Sequence, residues 1–173
     1  MAETMAWRLM TPEDMPLVQV LADTIHVSHP EDLEVLAERQ RLHPQGCLLL
    51  TDGRQAIGYA LTHPWRYGEP PPLNGLLGKL PADPTTYYIH DVALLPVARG
   101  KGYAVQAADR LIAHARTAAF GNLSLVAVNR SQAFWERVGF RVLSIAGLDV
   151  KLASYGPDAV LMVRDLASPT HDA

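Results

Sequence analysis

"ALLPVARGKGYAVQAADRLIAHAR", residues 93–116, joins an apolar run to a helical pattern through a turn that contains two glycines and two basic residues. Glycine permits positive φ angles, and because it lacks a Cβ it lets a ligand approach the amides of a turn closely. The first amides of a helix have no partner inside the helix, and the helix dipole adds partial positive charge there. The turn therefore predicts either a plain loop with solvated basic residues or a cradle for a phosphate group.

The elements around this turn predict a mixed α/β domain. Strands are expected at 86–95 and 123–128, on either side of a helix at 102–118, and such a β–α–β unit favours a parallel crossover. A two-residue hairpin is expected at Asp52-Gly53. The remaining predicted elements are strands at 6–10, 47–51, 55–62, 140–145 and 159–166, and helices at 11–25, 31–42 and 131–138. Between them, residues 63–85, here called the proline-rich segment, contain six prolines and little periodicity, which is typical of a functional or mobile loop.

Composition excludes several classes of protein. A length of 173 residues suits one compact domain, and a net charge of −3 argues against a general binder of nucleic acid or anionic membranes. Cys47 is the only cysteine, so no internal disulfide can form, which favours a reducing, cytoplasmic setting. No apolar run approaches the roughly 18 residues that span a bilayer, and the first residues lack the layout of a signal peptide. No histidine shows the spacing of a metal-binding motif, so no metal is expected.

Two familiar nucleotide motifs do not fit the glycine turn. A dinucleotide fingerprint that begins at Gly100 would need a glycine or alanine where Val105 stands. The phosphate loop with Lys-Ser or Lys-Thr after its second glycine occurs nowhere in the chain.

Two blocks of sequence, the first of which is the glycine turn itself, resemble the GNAT superfamily of N-acetyltransferases. Residues 99–104, RGKGYA, match its Gln/Arg-x-x-G-x-Gly/Ala signature, and Pro96 precedes them as in many members. Residues 129–140, NRSQAFWERVGF, resemble its second block. The two blocks occur in the right order, and the resemblance implies a single GNAT domain over 1–173 with a cofactor-binding core at about 86–140. It also implies a mostly antiparallel mixed sheet flanked by helices, with a splayed parallel strand pair that forms the cofactor cleft.

The resemblance implies acetyl-CoA as the co-substrate. The turn would bind the pyrophosphate through its backbone amides, and the preceding strand would pair with the pantetheine arm. Asn129 is expected either to hydrogen-bond that arm or to act as a helix N-cap or turn residue. The residues carried over are Val92, Ala93, Leu94, Arg99, Gly100, Lys101, Gly102, Tyr103, Ala104, Asn129 and Trp135.

Trp135 departs from the family pattern. Many members have a tyrosine here that protonates the departing thiolate, whereas an indole N–H donates a hydrogen bond but cannot act as an acid near neutral pH. We therefore expect Trp135 to pack, in part against the cofactor arm. A thiolate also leaves with modest help, from water or another donor.

His90 is the candidate general base, because some family members carry histidines on this strand and imidazole titrates near neutral pH. A buried, hydrogen-bonded histidine is the structural alternative. Strict alternation would place Tyr88, His90, Val92 and Leu94 on one face of the strand, and Tyr87, Ile89, Asp91 and Ala93 on the other. Asp91 is the competing base or an attractor of a cationic substrate, and Tyr88 and Tyr103 are candidate proton donors.

Substrate contacts are expected from Trp65, Tyr67 and Glu69 at the start of the proline-rich segment, with a packed surface loop as the alternative. The resemblance predicts a cytoplasmic N-acetyltransferase that transfers acetyl directly to a primary amine of a small molecule or peptide. A homodimer is consistent with the family, and no nucleic-acid or membrane partner is expected. An acyl-CoA-binding sensor with little activity is the main alternative, supported by Trp135. A longer acyl group or a hydroxyl acceptor also stays open.

Overall fold

A computed structural model describes residues 3–167. The strands are β1 (Ala6–Leu9), β2 (Cys47–Thr51), β3 (Ala56–Trp65), β4 (Thr86–Leu94), β5 (Asn122–Ala127), β6 (Arg141–Val142) and β7 (Val160–Asp165). They form one sheet in the order β1-β2-β3-β4-β5-β7-β6. Neighbouring strands are antiparallel except for β4 and β5, which are parallel. The predicted mixed sheet with one parallel crossover is therefore confirmed.

Within residues 3–167, five α-helices accompany the sheet: α1 (Met15–Ile25), α2 (Leu33–Leu42), α3 (Tyr103–Thr117), α4 (Gln132–Arg137) and α5 (Asp149–Ala153). Leu111 and Ile112 of α3 pack on Ile89 and Leu125 on one face of the sheet. Helices α1 and α2 cover the other face, against residues of β2, β3 and β4. None of the helices in the described residues combines the length and the apolarity that crossing a bilayer requires.

Three local predictions were wrong, and one helix was missed. The strand expected at 140–145 is only the two residues of β6, and α5 was not predicted. The hairpin at Asp52-Gly53 is longer than two residues, because Thr51 pairs with Ala56 and the Asp52 carboxylate accepts hydrogen bonds from the Arg54 and Gln55 amides. Strand β3 also runs through Pro64 to Trp65, three residues into the proline-rich segment.

A β-bulge at His90 overturns the predicted alternation along β4. Leu61 pairs with Asp91 and Thr62 with Ile89, which leaves His90 as an extra residue. Tyr87, Ile89 and Val92 consequently pack on the α3 side, while Ala93 packs on the α1 side. The carboxylate of Asp91 also bonds to His26 and Tyr59. The bulge thus places the consecutive side chains of His90 and Asp91 on the same side of the sheet.

Acid should destabilise the fold through His63, which is fully buried in β3. Burial lowers the pKa of His63 to about 3. A histidine whose folded pKa lies below its unfolded value adds stability that is fully present above the unfolded pKa and is lost as the pH falls toward the folded pKa. We expect His63 to cost about 2 kcal/mol of unfolding free energy between pH 7 and pH 5.

Urea unfolding at the two pH values measures this loss in the wild type and in His63→Gln, which should lose less. His29→Gln is the control, because the His29 side chain is exposed. This substitution should leave the pH dependence of the unfolding free energy unchanged. An equal loss in wild type and His63→Gln contradicts the prediction.

Candidate functional site

A cavity of about 680 Å³ opens where β4 and β5 separate. The two strands pair only from Tyr87 to Ile89 on β4, opposite Leu123 to Leu125 on β5. Beyond Ile89 the two strands no longer pair, and the cavity is lined by residues 90–94 on one side of the gap and by Val126, Val128 and Asn129 on the other. The cavity runs from the glycine turn before α3 to the loop between α1 and α2.

The glycine turn forms one end of the cavity. Gly100 and Gly102 have φ angles of 74° and 82°, and a Cβ built on either residue meets no heavy atom within 4 Å. The first hydrogen bond of α3 runs from the Gln106 N–H to the Gly102 carbonyl, so the amides before Gln106 have no partner in the helix. Left-handed backbone, open space and free amides are what a phosphate group requires.

Most of the predicted cofactor residues line the cavity: Val92, Ala93, Leu94, Arg99, Gly100, Ala104, Asn129 and Trp135. Lys101, Gly102 and Tyr103 belong to the same turn, between Gly100 and Ala104, but are not in the cavity wall. Trp7 of β1 was not predicted to matter here. Its indole N–H donates to the Tyr103 carbonyl over 2.9 Å and so ties the start of α3 to the sheet edge.

Asn129 and Trp135 both line the cavity, Asn129 from a turn and Trp135 from a buried position in a helix. Asn129 has a φ of 52° and lies beyond the end of β5, while Ser131 takes the N-cap position of α4. The N-cap alternative for Asn129 is therefore wrong. Trp135 is buried and packs edge-to-face against Phe134 and Phe140, so its ring builds the wall beside the splayed strands.

A histidine–carboxylate pair lies at the other end of the cavity. His90 Nε2 is 2.7 Å from Glu31 Oε1, and the two side chains are 3% and 10% exposed. Burial would raise the pKa of Glu31, but the charge and hydrogen bond of His90 and a hydrogen bond from the Asn74 amide lower it to about 2. Glu31 is thus a carboxylate at any physiological pH. Nδ1 of His90 has no hydrogen-bond partner among residues 3–167, and it is not completely buried.

A second pair lies beside the first. His26 Nε2 and the Tyr59 hydroxyl both bond to Oδ2 of Asp91, at 2.7 and 2.6 Å. Burial alone would lower the pKa of His26, but the charge and hydrogen bond of Asp91 raise it above the ordinary value. Oδ1 of Asp91 accepts no hydrogen bond from the residues that the structure describes. That oxygen is available to a ligand.

The predicted donor Tyr88 lines the cavity but is 2% exposed. Burial raises its pKa well above the usual range, which makes it a weak acid. Tyr155, which was not predicted, also lines the cavity and donates its hydroxyl to the Pro71 carbonyl. Tyr103 of the turn packs in part against a cluster that contains Ile57 and Ala98.

The three predicted substrate residues lie outside this cavity. Trp65 is buried and donates its indole N–H to the Glu69 carbonyl, and the Glu69 carboxylate pairs with Arg66 at 2.9 Å. Tyr67 is exposed. Trp65 and Glu69 instead border a separate surface pocket with Leu148 and Lys151.

Sequence reasoning missed His26 and Glu31. They lie 65 and 59 residues from the partners that they contact. One signal was present: residues 26–31, HVSHPE, place three ionisable side chains between two helices. Because loops that a rigid scaffold positions carry much of the function of proteins, that cluster could have indicated a functional site.

Comparisons with known proteins agree with this fold. The model of the acetyltransferase (GNAT) family matches residues 13–140. No match was found among curated protein sequences.

Solved structures match over nearly the whole chain. The loading GNATL domain of CurA from Lyngbya majuscula is 12% identical, with a TM-score of 0.78, and the match covers 94% of this chain and 98% of that one. The GphF GNAT-like decarboxylase, solved with isobutyryl-CoA, is 16% identical with a TM-score of 0.73 and coverage of 94% and 100%. Naa50 from Arabidopsis thaliana, solved with the bisubstrate analogue CoA-Ac-MVNAL, is 11% identical with a TM-score of 0.67 and coverage of 93% and 98%. At these identities the likeness concerns the fold.

Proposed function

The chain belongs to the acetyltransferase (GNAT) family, and from that membership we propose that it transfers the acetyl group of acetyl-CoA directly to a primary amine of a small molecule or peptide. One observation carries the proposal: a single cavity joins a phosphate cradle at Gly100–Ala104 to the His90–Glu31 pair. The first end suits the pyrophosphate of the cofactor. The second end suits the removal of a proton from an amine.

The proposed reaction needs no enzyme-bound acyl intermediate. The neutral amine attacks the thioester carbonyl, a C–N bond forms, the C–S bond breaks, and coenzyme A leaves as its thiolate. His90 takes the proton that the amine nitrogen loses, through the Nδ1 that no described residue occupies. Cys47 is buried, and burial raises its pKa to about 12, so it is a poor nucleophile for an acyl-enzyme route.

The thiolate takes its proton from water in this proposal. Trp135 stands at the position of the usual tyrosine and cannot supply a proton. The raised pKa of Tyr88 makes that hydroxyl a poor substitute. Since a free thiol titrates at roughly pH 8.5, the thiolate is a good enough leaving group to depart before it is protonated.

A cationic acceptor fits the second end of the cavity. Glu31 and Asp91 contribute two carboxylates to its lining, and Arg99, the one arginine or lysine among the described residues that line the cavity, lies on the glycine turn at the other end. Oδ1 of Asp91 can accept a hydrogen bond from an ammonium group. We assign Asp91 the binding of the acceptor and His90 the proton transfer. We also propose a cytoplasmic location, because a chain with one cysteine and no internal disulfide suits a reducing setting.

Two measurements test this function. Calorimetry should show acetyl-CoA binding, and thiol release from acetyl-CoA should accelerate when amines and short peptides are added. Trp135 favours one second candidate, an acyl-CoA-binding sensor. Binding without thiol release across a broad amine and peptide panel would establish the sensor and overturn the transferase, and absence of binding would overturn both.

A further inference from the structure

Part of the proline-rich segment is attached to the end of the cavity that holds the His90–Glu31 pair, here called the acceptor end. We call residues 71–78 the wall segment, because Leu73 lines the cavity and its neighbours are tied to α2 and to the loop before it. The amides of Leu77 and Gly78 donate to the Glu38 carboxylate over 2.6 and 3.1 Å. At its other end, the Pro71 carbonyl accepts the Tyr155 hydroxyl.

Asn74 ties the middle of the wall segment to Glu31. The backbone amide of Asn74 donates to Glu31 Oε2 over 3.1 Å. The side-chain carbonyl of Asn74 accepts a hydrogen bond from the backbone amide of Asp32 over 2.7 Å. Glu31 therefore has both oxygens engaged, Oε2 by the wall segment and Oε1 by His90.

From this geometry we propose that Glu31 is a positioning residue: the Asn74 amide fixes one oxygen, so that the other holds His90 with its proton on Nε2 and its Nδ1 free for the amine. The inference rests on the proposed transferase function. A carboxylate can only accept hydrogen bonds, so the imidazole nitrogen that faces Glu31 must carry the hydrogen. The other nitrogen then has a lone pair, which is what a base requires.

The groups around the pair do not alter this choice. The charged and titratable side chains that interact electrostatically with His90 or Glu31 are His26, Arg39, Tyr59, His63, Tyr88 and Tyr155. Among the described residues, none besides Glu31 hydrogen-bonds to the His90 imidazole. The tautomer of His90 is therefore set by Glu31.

The inference makes an unusual prediction for two substitutions of Glu31. In Glu31→Gln the side-chain oxygen stays with the Asn74 amide, so the side-chain NH₂ must face His90 Nε2. An NH₂ donates, which forces the hydrogen of the imidazole onto Nδ1 and blocks the base. In Glu31→Ala the imidazole is free to adopt either tautomer. We expect kcat to fall at least about tenfold further in Glu31→Gln than in Glu31→Ala, although alanine removes more atoms.

Nitrogen-15 spectra of labelled histidine provide a readout that needs no turnover. The signals of His90, identified by their loss in His90→Gln, should show the Nε2–H tautomer in the wild type and the Nδ1–H tautomer in Glu31→Gln. Asp32→Asn is the control, because Asp32 contacts the same Asn74 but not His90. It should keep the wild-type tautomer.

The outcomes separate the inference from the function. A wild type that binds acetyl-CoA but acetylates nothing contradicts the proposed function, while the spectra still decide the tautomer. An active wild type with the same tautomer in Glu31→Gln, or with Glu31→Ala as the less active variant, overturns the role of Glu31. A tautomer change in Asp32→Asn overturns it as well.

Discussion

Replacing Gly102 by aspartate is expected to weaken the binding of coenzyme A by more than about 100-fold, which corresponds to roughly 2.7 kcal/mol. Gly102 has a φ of 82°, and a residue with a Cβ pays roughly 1–2 kcal/mol of backbone strain in this region. The new carboxylate would also stand at the amides that are proposed to hold the pyrophosphate. Repulsion between like charges in that position adds to the loss.

Two further variants separate the causes of that loss. Gly102→Ala carries the backbone strain without the charge, so its affinity should lie between those of the wild type and Gly102→Asp. Gly121→Asp carries the charge beyond the far end of α3, where a Cβ has open space, and should bind coenzyme A as the wild type does. Calorimetry with coenzyme A measures all three. If the affinity of Gly102→Asp for coenzyme A lies within threefold of the wild-type value, the turn is not part of the cofactor site.

The second large effect is expected from His90→Gln, which should lower kcat by about 10²- to 10⁴-fold and leave the affinity for coenzyme A unchanged. Glutamine can still hydrogen-bond to Glu31, but it cannot accept a proton from the amine. The wild-type profile of kcat/KM should rise with pH as the base loses its proton, and that rising limb should disappear in the variant.

His29→Gln is the matched control for this experiment. His29 lines the same cavity, yet its side chain is exposed and makes no hydrogen bond to a described residue. Steady-state kinetics from pH 6 to pH 9 should show the rising limb intact in this variant. If His90→Gln keeps the limb, or if His29→Gln is the variant that loses it, the base is not His90.

The cofactor end of the cavity could be predicted from the sequence because its chemistry is local. The groups that would hold a phosphate are consecutive backbone amides, and Gly100 and Gly102 mark the left-handed positions that such a turn needs. The strand before the turn and the helix after it were visible as residue patterns. The turn geometry was therefore visible within residues 93–104, and the second block at 129–140 favoured a phosphate cradle over a plain loop.

The acceptor end could not be predicted in the same way. Glu31 reaches His90 and His26 reaches Asp91 only because α1, α2 and the loop between them cover the face of the sheet on which β4 presents both residues. The sequence supplied His90 and Asp91 as candidates, but alternation put them on opposite faces. One extra residue in β4 reverses that conclusion, and a β-bulge has no reliable residue signature when it contains no glycine.

The sequence by itself determined the order of the main elements, the parallel crossover and the glycine turn, because each depends on residues close together in the chain. Only the tertiary structure decided which ionisable groups meet. Their partners lie 59 and 65 residues apart, and such contacts depend on the register between β3 and β4 and on the packing of the helices over the sheet. Whether His90 is a bystander or a base thus depends on Glu31 and on the wall segment that holds Glu31 in place.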